Sequence, residues 1–203
     1  NLKNSDFFFP KLLDLEVKNY EKLSRFSEAF EKVYLRNEFL KNTKESKNFD
    51  KDLIFRTIKQ YKKFYTKENI KKISKRLKYN NHENLVFLVG FPRSGTTLLD
   101  TILRTHSKIN VLEEKPFLLE LRHNFFKEKK NNLESLLNIS QSEKDEISLN
   151  YLKKIDAINI PSTQIIVDKL PLSILELGFI KIIFPQSKII LALRNPCDVI
   201  ISC

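Results

Sequence analysis

At 203 residues, 41% hydrophobic and 30% charged, the chain is long enough to bury a core, has the composition of a globular protein, and contains no apolar run near the roughly 20 residues of a membrane helix. A net charge of +11 and a pI near 9.5 raise the question of a polyanion partner, but lysine is spread along the whole chain instead of gathered into a stripe, which argues against nucleic acid. Cys197 and Cys203 alone cannot build a disulfide framework or a four-ligand zinc site, so a reducing, cytoplasmic setting without a metal is expected.

The chain opens without Met and without the charged-then-apolar pattern of a secretory leader, and it stops at Cys203 directly after a strongly patterned segment. It reads as an internal fragment of a longer protein. From Tyr20 to Leu40, Leu23, Phe26, Ala29, Phe30, Val33 and Asn37 recur at spacings of three and four, the period of an amphipathic helix pair, with Ser24-Arg25 as the turn. The pattern resembles one tetratricopeptide unit of the YxxLGxYxEAI type, with Ser24 in the place of the usual glycine; a plain helical hairpin is the alternative. A single such unit cannot bury its own apolar face. The resemblance therefore implies further repeats upstream or docking on the next domain, and a protein partner held through the repeats. Residues 50 to 78, with Phe55, Ile58, Tyr61, Phe64 and Tyr65, continue as helix and connector. The turn chemistry of Asn80-Asn81-His82 then divides a helical part, 1–80, from a second domain, 81–203.

Beyond that turn the texture changes. Leu85 to Val89 is a continuous apolar run ending in Gly90, as expected of a strand buried on both faces. Helical patterns follow at 96–105, 116–130 and 142–156. Two more apolar runs, Gln164 to Val167 and Lys188 to Leu193, flank a helical segment from Leu172 to Phe184. Strands alternating with helices predict an α/β fold: a P-loop-type parallel sheet flanked by helices, behind a helical N-terminal part.

The segment Gly90-Phe-Pro-Arg-Ser-Gly95-Thr96-Thr97 follows the first strand and opens a helix, so its backbone N–H groups and the positive helix end converge on one anion. Its glycine spacing is that of the Walker A loop. However, Thr96 stands where nucleotide-hydrolysing loops carry Lys, and Arg93 lies inside the loop instead. Without the Lys that reaches the β and γ phosphates, a single 5′-phosphate suits the loop better than Mg-ATP.

The stretch FLVGFPRSGTTLLDTILRTHSKINVLEE, from Phe87 to Glu114, resembles the 5′-phosphosulfate-binding segment of sulfotransferases that use 3′-phosphoadenosine-5′-phosphosulfate (PAPS). It is most similar to the branch with tetratricopeptide repeats ahead of the transferase domain and to the protein-tyrosine sulfotransferases. A second stretch, VDKLPLSILELGFIKIIFPQSKIILALRNPCDVIISC, resembles the later block of the same family, a DKxP turn, helix, strand and RxPxDxxxS element in that order. The resemblance covers roughly residues 85 to 203.

What the resemblance implies is transfer of a sulfuryl group from PAPS to an acceptor hydroxyl, with adenosine 3′,5′-bisphosphate as product and no metal. Ser94, Gly95, Thr96 and Thr97 would hold the 5′-phosphate, and Arg93 would lie along the sulfuryl group. Arg194 and Ser202 would grip the 3′-phosphate. Lys169, just after a predicted strand, would bind the leaving phosphate, with Asp168 beside it a structural partner for backbone or Lys. No His follows His123, so Glu114, at the separation from Arg93 found in the tyrosylprotein branch, would be the base; Glu113 is the alternative. His106 is expected to cap the end of the preceding helix. The acceptor, a peptide tyrosine, a saccharide or a lipid hydroxyl, is left open, because fold does not determine substrate. A P-loop nucleotide kinase, or a tetratricopeptide-type binding module without catalysis, are the competing readings.

Overall fold

In the computed structural model, which describes residues 2–78, 84–158 and 164–202, the expected helix pair is α1 (Leu2–Lys22) and α2 (Phe26–Lys41). Ser24 makes the reversal by adopting the left-handed region at φ 56°, the conformation that glycine would take without strain. The helices are tied by Lys32–Glu16 at 2.8 Å, by Arg36–Asp14, and by the Phe9 and Phe39 rings, whose centroids are 4.9 Å apart. Of the predicted apolar positions, Ala29 is buried and Val33 half-buried. Leu23, Phe26 and Phe30 are exposed, because the stripe on α2 that meets α1 runs through Ala29, Lys32, Val33 and Arg36 instead. A one-turn helix α3 (Lys44–Lys47), N-capped by Thr43, precedes α4 (Leu53–Phe64). The chain forms two units, Asn1–Thr57 and Ile58–Cys203, and the turn read as a boundary at Asn80–His82 lies outside the described residues.

The second unit takes in the rest of α4 and α5 (Lys67–Arg76), then β1 (Leu85–Gly90), α6 (Thr96–Leu103), β2 (Ile109–Glu113) and α7 (Phe117–Glu128). A 3-10 turn over Leu133–Asn138 leads to α8 (Gln141–Asp156), which starts at a Ser140/Glu143 capping box. Next come β3 (Ile165–Lys169), a 3-10 turn over Pro171–Glu176, α9 (Leu177–Ile183), β4 (Lys188–Ala192) and α10 (Pro196–Ile201). The segment expected as one helix from Leu172 is thus 3-10 until Glu176 and α-helical only from Leu177.

The four strands form one parallel sheet in the order β2-β3-β1-β4. Side chains alternate across it. Leu85, Phe87, Val89, Leu112 and Ile166 face the larger core, which α7, α8 and α9 complete with Leu118, Phe125, Tyr151, Ile155, Phe179 and Ile183. Val86, Leu88 and Val167 face the other way, against Leu99 and Leu103 of α6. The connection leaving β1 crosses to the edge strand β2, and the one leaving β3 passes over β1 to β4. A crevice therefore opens around the carboxyl end of β1, where ligands bind in sheets of this kind.

Candidate functional site

Gly90 ends β1 because nothing larger fits: a Cβ there would lie 2.7 Å from Ser94 Oγ and 2.8 Å from the Ala192 carbonyl oxygen. The loop then turns tightly enough for the Ser94 amide to donate to the Phe91 carbonyl at 3.1 Å, with Arg93 at φ 68° and Gly95 at φ 92°. Gly95 is the N-cap of α6, so the amides of Thr96, Thr97 and Leu98 have no intrahelical acceptor, and none is found for them among the described residues. Ser94 Oγ is buried beneath this turn and has no hydrogen-bond partner among the described residues. A buried hydroxyl left unpaired costs about 1–3 kcal/mol, which an anion seated on the loop would recover. Free amides, a helix N-terminus and an orphaned hydroxyl together fit a phosphate group.

Three residues assigned to the site from widely separated sequence positions meet beside this loop. Arg93 Nε donates to Ser202 Oγ at 3.0 Å and to the Ser202 carbonyl at 2.9 Å, and Arg194 Nη1 donates to the Arg93 carbonyl at 3.0 Å. Arg194 follows the end of β4, and Ser202 is the C-cap of α10, whose start is capped by Asn195 accepting from the Cys197 amide. Arg194 therefore supports the strained Arg93 peptide, and Arg93 and Ser202 face each other across the crevice.

Lys169, Glu113 and Glu114 meet at the same carboxyl edge of the sheet, where Glu113 is in register with Lys169 and the Glu114 amide donates to the Lys169 carbonyl at 2.8 Å. The Lys169 side chain is fully enclosed. Its Nζ lies 3.0 Å from Glu114 Oε1, 3.3 Å from Glu113 Oε1 and 3.7 Å from Asp100 Oδ2. Burial alone would lower the ammonium's pKa, but the hydrogen bonds to Glu114 and Glu113 outweigh it and the pKa rises. Glu113 is also held by Arg104 Nη2 at 3.1 Å, Glu114 stands on a left-handed backbone at φ 49°, and both side chains are more than half exposed.

Alternation along β3 sends Asp168 to the opposite face from Lys169. There its Oδ2 accepts from the buried Tyr151 hydroxyl at 2.6 Å, so its structural partner is a tyrosine of α8 and not the backbone or Lys. Burial pushes the Asp168 carboxyl up to about 6, against the opposing pull of the Tyr151 hydrogen bond. His106 does not cap α6; its Nδ1 accepts from the Lys108 amide at 3.1 Å in the turn before β2. A cavity of about 510 Å³, lined by Tyr65, Ile73, Leu177 and Ile182 among other apolar groups, lies toward the larger core, on the face away from α6.

The Sulfotransferase family model matches residues 85–203, from the start of β1 to the end of the chain. This chain belongs to the sulfotransferase family. An uncharacterized protein of Aquifex aeolicus (strain VF5) is similar to it, 31% identical over 195 residues that cover 90% of this chain and 24% of the relative. The chain spans about a quarter of the length of the curated relative it matches. The match begins at the phosphate loop's own strand, so the sulfotransferase resemblance falls on the residues that form the crevice. Sequence reasoning passed over Asp100 and Arg104, an i,i+4 pair on α6 that joins the Lys169 cluster; their spacing was visible, but the burial of Asp100 was not. The edge strand β2 was missed as well, since only Leu112 of its five residues is buried and Asn110 and Glu113 interrupt the apolar run. Among the described residues no group of three or more His, Cys, Asp or Glu side chains is placed to hold a metal ion, and no helix is long and apolar enough to cross a membrane.

Proposed function

We propose that this sulfotransferase domain passes a sulfuryl group from PAPS to an acceptor hydroxyl by in-line displacement. The observation that carries the reading is the buried, unpartnered Ser94 hydroxyl under the free amides of α6, with Arg93, Arg194 and Ser202 gathered beside it. PAPS supplies the sulfuryl group and an anionic leaving group, adenosine 3′,5′-bisphosphate. Ser94 Oγ and the amides of Gly95, Thr96 and Thr97 hold the 5′-phosphate. Arg194 and Ser202 hold the 3′-phosphate, and Arg93 exchanges its bond with Ser202 for the sulfuryl oxygens, where charge gathers in the transition state.

Glu114 takes the proton of the acceptor hydroxyl as that oxygen bonds to sulfur, while the bond from sulfur to the phosphate oxygen breaks and its electron pair stays on that oxygen. Protonation of Glu114 weakens its hold on Lys169, whose ammonium then neutralises the leaving phosphate. Peptide tyrosine, saccharide and lipid hydroxyls are the acceptor classes this chemistry serves. The helix pair of the first unit, α1 and α2, serves as a tetratricopeptide-like hairpin that binds a protein partner through exposed apolar side chains such as Leu23, Phe26 and Phe30.

Calorimetric titration with adenosine 3′,5′-bisphosphate and with 5′-AMP tests the reading. The bisphosphate should bind at least tenfold more tightly, a difference of about 1.4 kcal/mol, and Arg194→Ala should abolish the preference. Equal binding of the two, or a preference for Mg-ATP, would point to a phosphotransferase. Gly90→Ala should weaken bisphosphate binding by a further factor of about ten or more, because its Cβ drives Ser94 Oγ away from the anion; the same titration reads it.

A further inference from the structure

Asp100 is 2% exposed, yet it is a carboxylate in the middle of α6 with no direct place in the chemistry above. Such a group is stable only where cations meet it. Its Oδ1 accepts from Arg104 Nε, its Oδ2 accepts from Arg104 Nη2 at 3.1 Å, and the same Oδ2 lies 3.7 Å from Lys169 Nζ. Both cations go on to Glu113: Arg104 Nη2 reaches Oε2 at 3.1 Å and Lys169 Nζ reaches Oε1 at 3.3 Å. Glu113 thus has each oxygen on a different cation. Glu114 has one oxygen on Lys169, and its second oxygen has no partner among the described residues.

We propose that Asp100 is a positioning residue: anchored in the helix behind the phosphate loop, it aims Arg104 and Lys169 so that Glu113 is locked and Glu114 alone presents a free carboxylate oxygen to the acceptor. The inference rests on the sulfotransferase reading of Glu114 and accounts for the choice between two adjacent carboxylates. Among the described residues, the cations that pair with the two glutamates are Arg104 on α6 and Lys169 on β3, and Asp100 on α6 holds both. Without the Asp100 charge, Arg104 loses its bidentate anchor and swings on Glu113 alone. Lys169 then shifts toward both glutamates, and the free oxygen of Glu114 is drawn into an ion pair.

The test measures PAPS turnover as release of adenosine 3′,5′-bisphosphate with water as the acceptor, so that no acceptor needs to be known, together with bisphosphate affinity by calorimetry. Asp100→Asn and Arg104→Gln are each expected to lower kcat about tenfold, with KM for PAPS and bisphosphate affinity within twofold of wild type; Arg104→Lys should recover part of the loss. In a Glu113→Gln background the Asp100→Asn substitution should cost less than twofold, because the carboxylate it keeps locked is gone. Equal losses in both backgrounds, or kcat within twofold of wild type in both single variants while Glu114→Gln is inactive, overturn the positioning role and leave the function standing. Full turnover in Glu114→Gln, or no bisphosphate binding by the wild type, instead overturns the reading beneath it.

Discussion

A Lys169→Met variant should lose about 2–3 kcal/mol of folding stability and about a hundredfold in PAPS turnover. Methionine fills nearly the same volume, so the loss is electrostatic. The ammonium is fully enclosed by Asp100, Glu113 and Glu114, and removing one partner of a buried ion pair strands the others at about 3–5 kcal/mol. Glu113 and Glu114 are 53% and 57% exposed, so water recovers part of this, which brings the figure down to the range given. The turnover loss has the size seen when one preorganised charge-stabilising group is removed, about 10²–10³ in kcat. Because the Lys169 pKa is raised above 10.5, its contribution to stability is complete below that value and is lost only as pH climbs through the folded-state pKa. The urea unfolding midpoint of Lys169→Met should therefore fall by the same amount at pH 6 and at pH 8. A loss confined to one of those values would show that the ammonium is not the group responsible.

The second large effect lies on the other face of β3. Asp168 has a folded-state pKa near 6 against 3.8 when exposed, so folding favours its protonated form. Its contribution is complete below about pH 3.8 and disappears as pH rises through about 6, leaving a penalty of about 3 kcal/mol at neutrality at 1.36 kcal/mol per unit. Asp168→Asn keeps an acceptor for the Tyr151 hydroxyl and removes the titration. Comparing urea midpoints at pH 4 and pH 7, the wild type should lose about 2–3 kcal/mol more over that interval than Asp168→Asn. Identical pH dependence in the two proteins would place the titration elsewhere. Tyr151→Phe works in the opposite sense: it removes the hydrogen bond that holds the carboxyl down, and should destabilise the fold by about 1.5–3 kcal/mol at pH 7.

Much of this architecture follows from patterns a few residues long. The apolar runs at Leu85, Ile165 and Lys188 become adjacent central and edge strands of one parallel sheet, and the apolar strand, glycine-bounded loop and helix in succession give the phosphate cradle. These features depend on backbone sterics and on a period of two or 3.6 residues, so neighbouring residues specify them. Alternation alone also dictates that Asp168 and Lys169 part to opposite faces. What local pattern could not supply is the partner of each buried charge. Lys169 meets Asp100 and Glu113 only because β2 and α6 pack beside β3, and Asp168 meets Tyr151 only because α8 covers the larger core. Likewise Arg93, Arg194 and Ser202 meet only when β4 closes onto β1. Charge pairing acts over a few ångströms of space, and it is chain closure across many intervening residues that brings those groups within reach.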